Sequence, residues 1–208
     1  MYNPKIKTFS IVITIVLAIV FWYLTFSVKL LNFWLSMSIA ATTLSILAIY
    51  WGGNPFNSKD LNIRTIIIGV GSAIILYFIF LAGNFLSQFL FNFAKPQVSS
   101  IYTIRTQAEA IYITLVLLFI TSPGEEIFWR NFLQRWSMKN FGGFKGWIFA
   151  SLVYAGVHIS SGNFMLVMAA LIAGLFWGYI YWKEENILAV SISHALWTTG
   201  IFVFFPVM

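Results

Sequence analysis

The sequence predicts an all-α fold, a polytopic membrane helix bundle with about seven transmembrane helices. Of the 208 residues, 60% are apolar and only 9% are charged, whereas a soluble domain carries about 25% charged residues. Apolar runs recur along the chain, and most approach the roughly 20 residues that a helix needs to cross a bilayer. Such a composition leaves little polar surface for water. The protein is therefore expected to be integral to the membrane.

The predicted spans follow one another without a linker long enough to divide domains, so residues 1–208 are interpreted as a single membrane domain. The first run lacks a small-residue cleavage site and is too long for a signal peptide, which favours a retained helix. Ser122-Pro123-Gly124 is expected to interrupt the fourth span, and residues 95–106 are expected to form a loop with at most an interfacial turn. The seven spans are 9–28, 30–51, 65–93, 107–138, 146–158, 164–182 and 187–205.

The charges favour membrane topology over a nucleic-acid partner. The formal net charge is +6, but the basic residues stand singly between apolar runs and form no stripe. The positive-inside rule predicts that the N-terminus is inside, because eight basic residues then fall in inner segments and three in outer ones. The inner set is Lys5, Lys7, Lys59, Arg64, Arg135, Lys139, Lys145 and Lys183, and the outer set is Lys29, Lys95 and Arg105. Cysteine is absent, which excludes disulfides and thiolate chemistry.

A cluster of ionisable residues lies within the fourth span. Glu125, Glu126 and Arg130 follow an apolar run, and ionisable groups at bilayer depth indicate a functional site by default. In the predicted topology Glu125, His158 and His194 lie roughly 15, 20 and 12 Å from the inner surface, from the 1.5 Å rise of a helix. The chain has only two histidines, and both fall in this layer. We therefore expect the three residues to share one wet pocket.

Each of these residues also has a purely structural interpretation. Ser122 and Glu125 fit a capping box, with Pro123 at the first helical position. Glu126 and Arg130 are four residues apart, so an intrahelical ion pair is their expected role. A single histidine in a helix is more often a hydrogen-bonded core residue than a catalyst.

Several protease mechanisms do not fit the residues. An aspartyl mechanism needs two aspartates and the chain has only Asp60, no HExxH sequence occurs, and Ser160 and Ser161 lack a Gly-x-Ser-Gly context. One carboxylate and two imidazoles remain. They could act on water as a general base with an oxyanion donor, or hold zinc as a His₂Glu set.

The three motifs resemble the CAAX-protease and bacteriocin-processing (CPBP, "Abi") family of intramembrane endopeptidases. The family pattern is EExxxR, then FxxxH, then HxxxN or HxxxD. Glu125-Glu126-Ile-Phe-Trp-Arg130 matches the first motif in full. The second is matched by Tyr154-Ala-Gly-Val-His158, with Tyr for Phe, and the third by His194-Ala-Leu-Trp-Thr198 at its histidine alone. The resemblance covers residues 107–205, the expected catalytic core.

By this resemblance, Glu125 and His158 would activate water, and His194 with Thr198 would stabilise the oxyanion. Glu126, Arg130 and Tyr154 would support the site. Thr198 departs from the pattern, because a hydroxyl replaces the amide or carboxyl group of the family's residue. No cofactor is required, although zinc is possible with Glu125, His158 and His194 as its ligands.

The resemblance implies an endopeptidase that cleaves a membrane-associated or lipid-modified peptide. The low-Gly, Phe/Ile/Lys/Asn-rich composition favours a bacterial cytoplasmic membrane, where the family matures pheromones or bacteriocins or confers self-immunity. The alternative is a catalytically weak or inactive scaffold or immunity protein that binds a partner through its helices, and Thr198 favours that alternative. A small-solute transporter ranks last, since no internal repeat or second broken helix accompanies the first.

Overall fold

The computed structural model describes residues 6–207, and all the regular structure in that range is helical. Six of these helices are long and apolar enough to cross a membrane, while α6 has 15 residues. The all-α membrane bundle predicted from the sequence is therefore confirmed, and Lys5 of the predicted inner set lies outside the described residues. The helices are α1 Thr8–Val28, α2 Phe33–Gly52, α3 Ile63–Leu90, α4 Ala94–Tyr102, α5 Ala110–Phe141, α6 Gly143–Val157, α7 Phe164–Glu184 and α8 Ile187–Phe204.

Asparagine side chains define where α2, α3, α7 and α8 begin. The side-chain oxygens of Asn32, Asn62, Asn163 and Asn186 accept hydrogen bonds from backbone N–H groups of the first helical turn. Those N–H groups have no partner within the helix, so each asparagine replaces the water that would otherwise solvate them. These starts lie within three residues of the predicted ones.

Helix α5 continues through Ser122, Pro123 and Gly124, so the predicted interruption is wrong. The turn before the proline is π-helical, and the N–H of Ser122 bonds to the carbonyl of Leu117, five residues back. A wider turn changes the position of the carbonyl that a proline ring meets in a regular α-helix. The hydroxyl of Ser122 has no hydrogen-bond partner in the described part of the chain, so the capping box with Glu125 is also wrong.

The predicted loop 95–106 is helical. Helix α4 occupies Ala94–Tyr102, and a 3₁₀ turn, Thr103–Gln107, continues it. Tertiary contacts stabilise the segment: the side chain of Gln97 accepts a hydrogen bond from the N–H of Met165 in α7. The hydroxyl of Tyr102 donates to the carbonyl of Ile201 in α8. The polar composition that predicted a loop is satisfied by these bonds to neighbouring helices.

Helix α5 lies in the middle of the bundle. Phe128, Trp129 and Phe132 are at most 1% exposed, and the hydroxyl of Ser45 in α2 donates to the carbonyl of Gly124, 2.9 Å away. The outer helices turn apolar side chains outward, and Phe89 of α3 is 83% exposed. Large apolar side chains of this kind are stable outside the core only against lipid or another apolar surface, which agrees with an integral membrane protein.

Gly146 allows α6 to pack directly on the end of α5. A Cβ atom at this position would collide with the backbone of Met138, and the Ser137 hydroxyl donates to the Gly146 carbonyl across the same contact, at 2.9 Å. We expect Gly146→Ala to lower the free energy of unfolding by about 1–3 kcal/mol, because the helices must separate to admit the methyl group.

Thermal unfolding in detergent measures this effect, with Gly156→Ala as the matched control in the same helix. A Cβ at Gly156 meets no atom within 4 Å, so that variant should keep or raise the melting temperature, because alanine is the better helix former. Equal melting temperatures for Gly146→Ala and the wild type would show that the close α5–α6 contact is absent.

Candidate active site

Five of the predicted site residues line one cavity, whereas Glu126 and Arg130 do not. The cavity has a volume of about 540 Å³ and a mostly apolar wall. Helix α5 contributes Glu125, and α8 contributes His194 and Thr198. Tyr154 belongs to α6, and His158 begins the 3₁₀ turn that follows it. Glu125, His158 and His194 therefore lie on the wall of the same cavity.

Glu125 is buried and is held by a residue of the second motif. The hydroxyl of Tyr154 donates a hydrogen bond to Oε2 of Glu125, 3.1 Å away. A phenylalanine, the family's residue at this position, has no hydroxyl and could not make this bond. The tyrosine therefore orients the carboxylate as well as packing beside it.

His158 has a protein partner at each ring nitrogen. Its Nδ1 lies 2.8 Å from the carbonyl oxygen of Tyr154, and its Nε2 lies 3.1 Å from the indole Nε1 of Trp22. A carbonyl only accepts and an indole N–H only donates. Nδ1 therefore carries the proton, and Nε2 presents its lone pair to Trp22.

Glu126 joins α5 to α8. Its Oε1 lies 2.7 Å from Nδ1 of His194, and its Oε2 lies 3.2 Å from Nε of Arg130, an ion pair without hydrogen-bond alignment. The predicted Glu126–Arg130 pair is confirmed, but the contact with His194 was not predicted. Because a carboxylate accepts at Nδ1, the opposite nitrogen of His194 faces away from Glu126 and remains available for a ligand.

Aromatic rings enclose Arg130 and His194. The guanidinium carbon of Arg130 lies 4.7 Å from the ring centre of Tyr154 and 5.6 Å from that of Trp177. The Trp177 ring stacks on His194 with 3.9 Å between centres, and its indole N–H donates to the hydroxyl of Ser193. Cation–π contacts stabilise a desolvated cation, so the rings partly compensate the two terminal guanidinium nitrogens of Arg130, which have no hydrogen-bond partner in the described chain.

Thr198 lines the cavity one helical turn after His194. Its hydroxyl is buried and has no hydrogen-bond partner among residues 6–207. An unpaired buried hydroxyl is costly, and a ligand in the cavity with an acceptor oxygen would remove that cost.

The same residues do not form a metal site in this conformation. Residues 6–207 contain no group of three His, Cys, Asp or Glu side chains placed to hold a metal ion. Both ring nitrogens of His158 already have protein partners, and a metal ligand needs a free lone pair. The possible His₂Glu set of Glu125, His158 and His194 is therefore not assembled.

Two tryptophans of the site gave no signal in the sequence. Trp22 belongs to α1, 136 residues before His158, and Trp177 belongs to α7. Tryptophans are common in membrane helices as packing and interfacial residues, and the chain has nine. Only the tertiary structure distinguishes these two from the others.

The fold and the cavity together define a class, a polytopic membrane protein with a buried glutamate–histidine site. The comparison with protein families is more specific. Residues 106–200 match the model of the family described as type II CAAX prenyl endopeptidase Rce1-like. This match confirms the resemblance of the segment to the CAAX proteases and supports a CAAX-type intramembrane protease. No curated protein and no solved structure matches the chain significantly.

Arg130→Met tests the buried ion pair. Arg130 and Glu126 are 2% and 0% exposed, and removal of one partner leaves a buried charge without compensation. We expect the free energy of unfolding to fall by about 3–5 kcal/mol, measured by thermal or denaturant unfolding in detergent.

Two controls accompany this variant. Glu126→Gln combined with Arg130→Met removes both charges and should recover part of the loss, whereas Arg64→Met breaks the exposed Arg64–Glu184 pair and should have little effect. A stability of Arg130→Met equal to that of Arg64→Met would contradict a buried charge pair.

Proposed function

We propose that the protein is a metal-independent glutamate endopeptidase that hydrolyses a peptide bond within the membrane. Glu125 serves as the general base, and Nε2 of His158 accepts a hydrogen bond from the attacking water. His194 and Thr198 stabilise the oxyanion. The observation that carries this proposal is the presence of all four side chains on the wall of one cavity. The family match supports the reaction class.

The charges of the site suit this division of roles. The charges of Glu126 and Arg130 cancel as an ion pair. The four side chains are then neutral together when one proton is bound either to Glu125 or, as a second ring proton, to His194. Net charge in a desolvated site is costly. When the proton is on His194, the site contains an ionised base and a cationic donor at the same time, which is the combination that hydrolysis needs.

The reaction follows from these positions. Glu125 takes a proton from water, and the water oxygen forms a bond to the peptide carbonyl carbon. Nε2–H of protonated His194 and the Thr198 hydroxyl donate to the oxyanion. The carbon–nitrogen bond then breaks, and Glu125 transfers its proton to the leaving amine. Glu126 holds His194 through Nδ1, so that Nε2 faces away from Glu126.

The cavity favours a membrane-associated or lipid-modified substrate. Apolar side chains from α3, α4 and α7 form much of its wall. An aliphatic chain that moves from the bilayer into such a cavity keeps apolar surroundings and close packing contacts. A peptide attached to that chain would bring its backbone carbonyl to the polar residues at the α5–α8 side.

The metal-independent mechanism is supported by the arrangement of the side chains, because residues 6–207 contain no group of three His, Cys, Asp or Glu placed to hold a metal ion. Zinc would have to displace Trp22 from its Nε2 or the Tyr154 carbonyl from its Nδ1. We expect metal chelators such as 1,10-phenanthroline to leave the hydrolysis rate of purified protein unchanged, while they inactivate a zinc protease assayed in parallel. Inactivation that added zinc reverses would assign the activity to a metal.

Glu125→Gln tests the catalytic base. The amide keeps the size of the side chain but cannot take a proton from water, so we expect kcat to fall by about 10²–10⁴-fold. The assay uses reconstituted protein and fluorogenic, lipid-modified peptides that carry a CAAX sequence. Glu184→Gln, a change outside the cavity, is the matched control and should retain the wild-type rate.

The non-catalytic alternative makes a different prediction for the same variants. If Glu125→Gln cleaved the peptides as fast as the wild type, the glutamate mechanism would be wrong. If Glu125→Ala, His158→Ala and His194→Ala all remained folded and biologically active, a scaffold or immunity role would replace the protease.

A further inference from the structure

The first helix contacts the candidate active site although it lies outside the segment that matches the family, residues 106–200. Trp22 in α1 is completely buried and donates its indole N–H to Nε2 of His158, at 3.1 Å. Phe26, one turn later, lies against the same imidazole with 5.9 Å between ring centres. Helix α1 thus covers one side of a residue of the second family motif.

The contact occupies the one ring position through which His158 could act on water. Nδ1 is already engaged with the Tyr154 carbonyl, and that bond alone determines which nitrogen carries the proton. Trp22 is therefore not needed to select the tautomer. Its N–H instead competes with water for the lone pair on Nε2, because a lone pair accepts one strong hydrogen bond at a time.

We propose that Trp22 is a positioning residue that holds His158 in a resting state, and that its hydrogen bond must break before Nε2 can accept one from water. The proposal rests on the proposed hydrolytic function, but its structural part does not depend on turnover. By this proposal α1 is part of the active site. Trp22 acts through a contact between helices and lies outside the family motifs.

A second bond ties the same end of α1 to the His158 turn. The hydroxyl of Ser27 donates to the carbonyl of Ser160, in the 3₁₀ turn His158–Ser161 that follows α6. The side chain of Phe26 also lines the cavity. The end of α1 therefore contacts both the His158 turn and the cavity.

The chain is well suited to a direct test, because its only histidines are His158 and His194. We would record ¹⁵N spectra of ring-labelled histidine in detergent-solubilised protein and assign the signals with His194→Gln. In the wild type, Nε2 of His158 should be unprotonated and hydrogen-bonded. Trp22→Phe keeps the aromatic ring but removes the donor, so the Nε2 resonance of His158 should shift while its Nδ1 remains protonated.

Trp129→Phe is the matched control. Trp129 is 1% exposed and lies against Trp22, with 5.7 Å between ring centres. Its indole N–H has no hydrogen-bond partner among the described residues. Loss of that N–H should leave the His158 resonances in place, which separates the hydrogen bond from a general effect of a buried Trp→Phe change.

Activity gives the second readout, on the same lipid-modified CAAX peptides. Trp22→Phe should raise kcat by about twofold to tenfold, the range that corresponds to the net free energy of one neutral hydrogen bond. KM should not change, because Trp22 is not among the residues that line the cavity. Melting temperatures of both variants show whether they remain folded.

The outcomes distinguish this proposal from the proposed function. An unchanged His158 spectrum in folded Trp22→Phe, or a protonated Nε2 in the wild type, would overturn the hydrogen bond. A shifted spectrum with a lower kcat would overturn the resting state, because Trp22 would then assist His158. Full activity of Glu125→Gln would refute the hydrolytic mechanism and leave the spectroscopic result intact.

Discussion

The site depends on one buried carboxylate, Glu126, which is completely shielded from solvent. It contacts Arg130 on its own helix and His194 on α8, and a buried carboxylate without such partners would be strongly destabilising. The packing of α8 against α5 is therefore coupled to this charge. Successive residues of a helix point about 100° apart, so the neighbour Glu125 is directed to the cavity instead. In the proposed mechanism the two adjacent glutamates therefore have different roles: Glu126 positions His194, and Glu125 acts as the base.

The residues that the sequence made conspicuous are those whose presence in a membrane is costly. Glu125, His158 and His194 stood out because ionisable groups are rare in apolar helices, and their spacing from the helix ends placed them at one depth. The bundle followed from composition, and the Glu126–Arg130 pair from helical periodicity. Each of these features depends on composition or on residues that are close together in the sequence, so it can be predicted without knowledge of the tertiary contacts.

Features that depend on tertiary contacts were not predictable. Ser122-Pro123-Gly124 is typical of a helix break, yet the π-helical turn and the Ser45 contact keep α5 continuous. Trp22 contacts His158 across 136 residues. The polar segment that forms α4 is helical because neighbouring helices satisfy its side chains. These outcomes depend on which helices become neighbours.

The most direct test of the account is the distance between His194 and a glutamate carboxyl group. Rotational-echo ¹⁵N–¹³C NMR on bilayer-reconstituted protein, with labelled histidine rings and glutamate carboxyl carbons, measures it. The 2.7 Å contact between Nδ1 and Oε1 predicts strong dephasing of the His194 Nδ1 signal, which Glu126→Gln, incorporated without the carboxyl label, removes. A folded wild-type protein whose His194 nitrogens show no dephasing would contradict the buried link between α5 and α8, and with it the proposed active site.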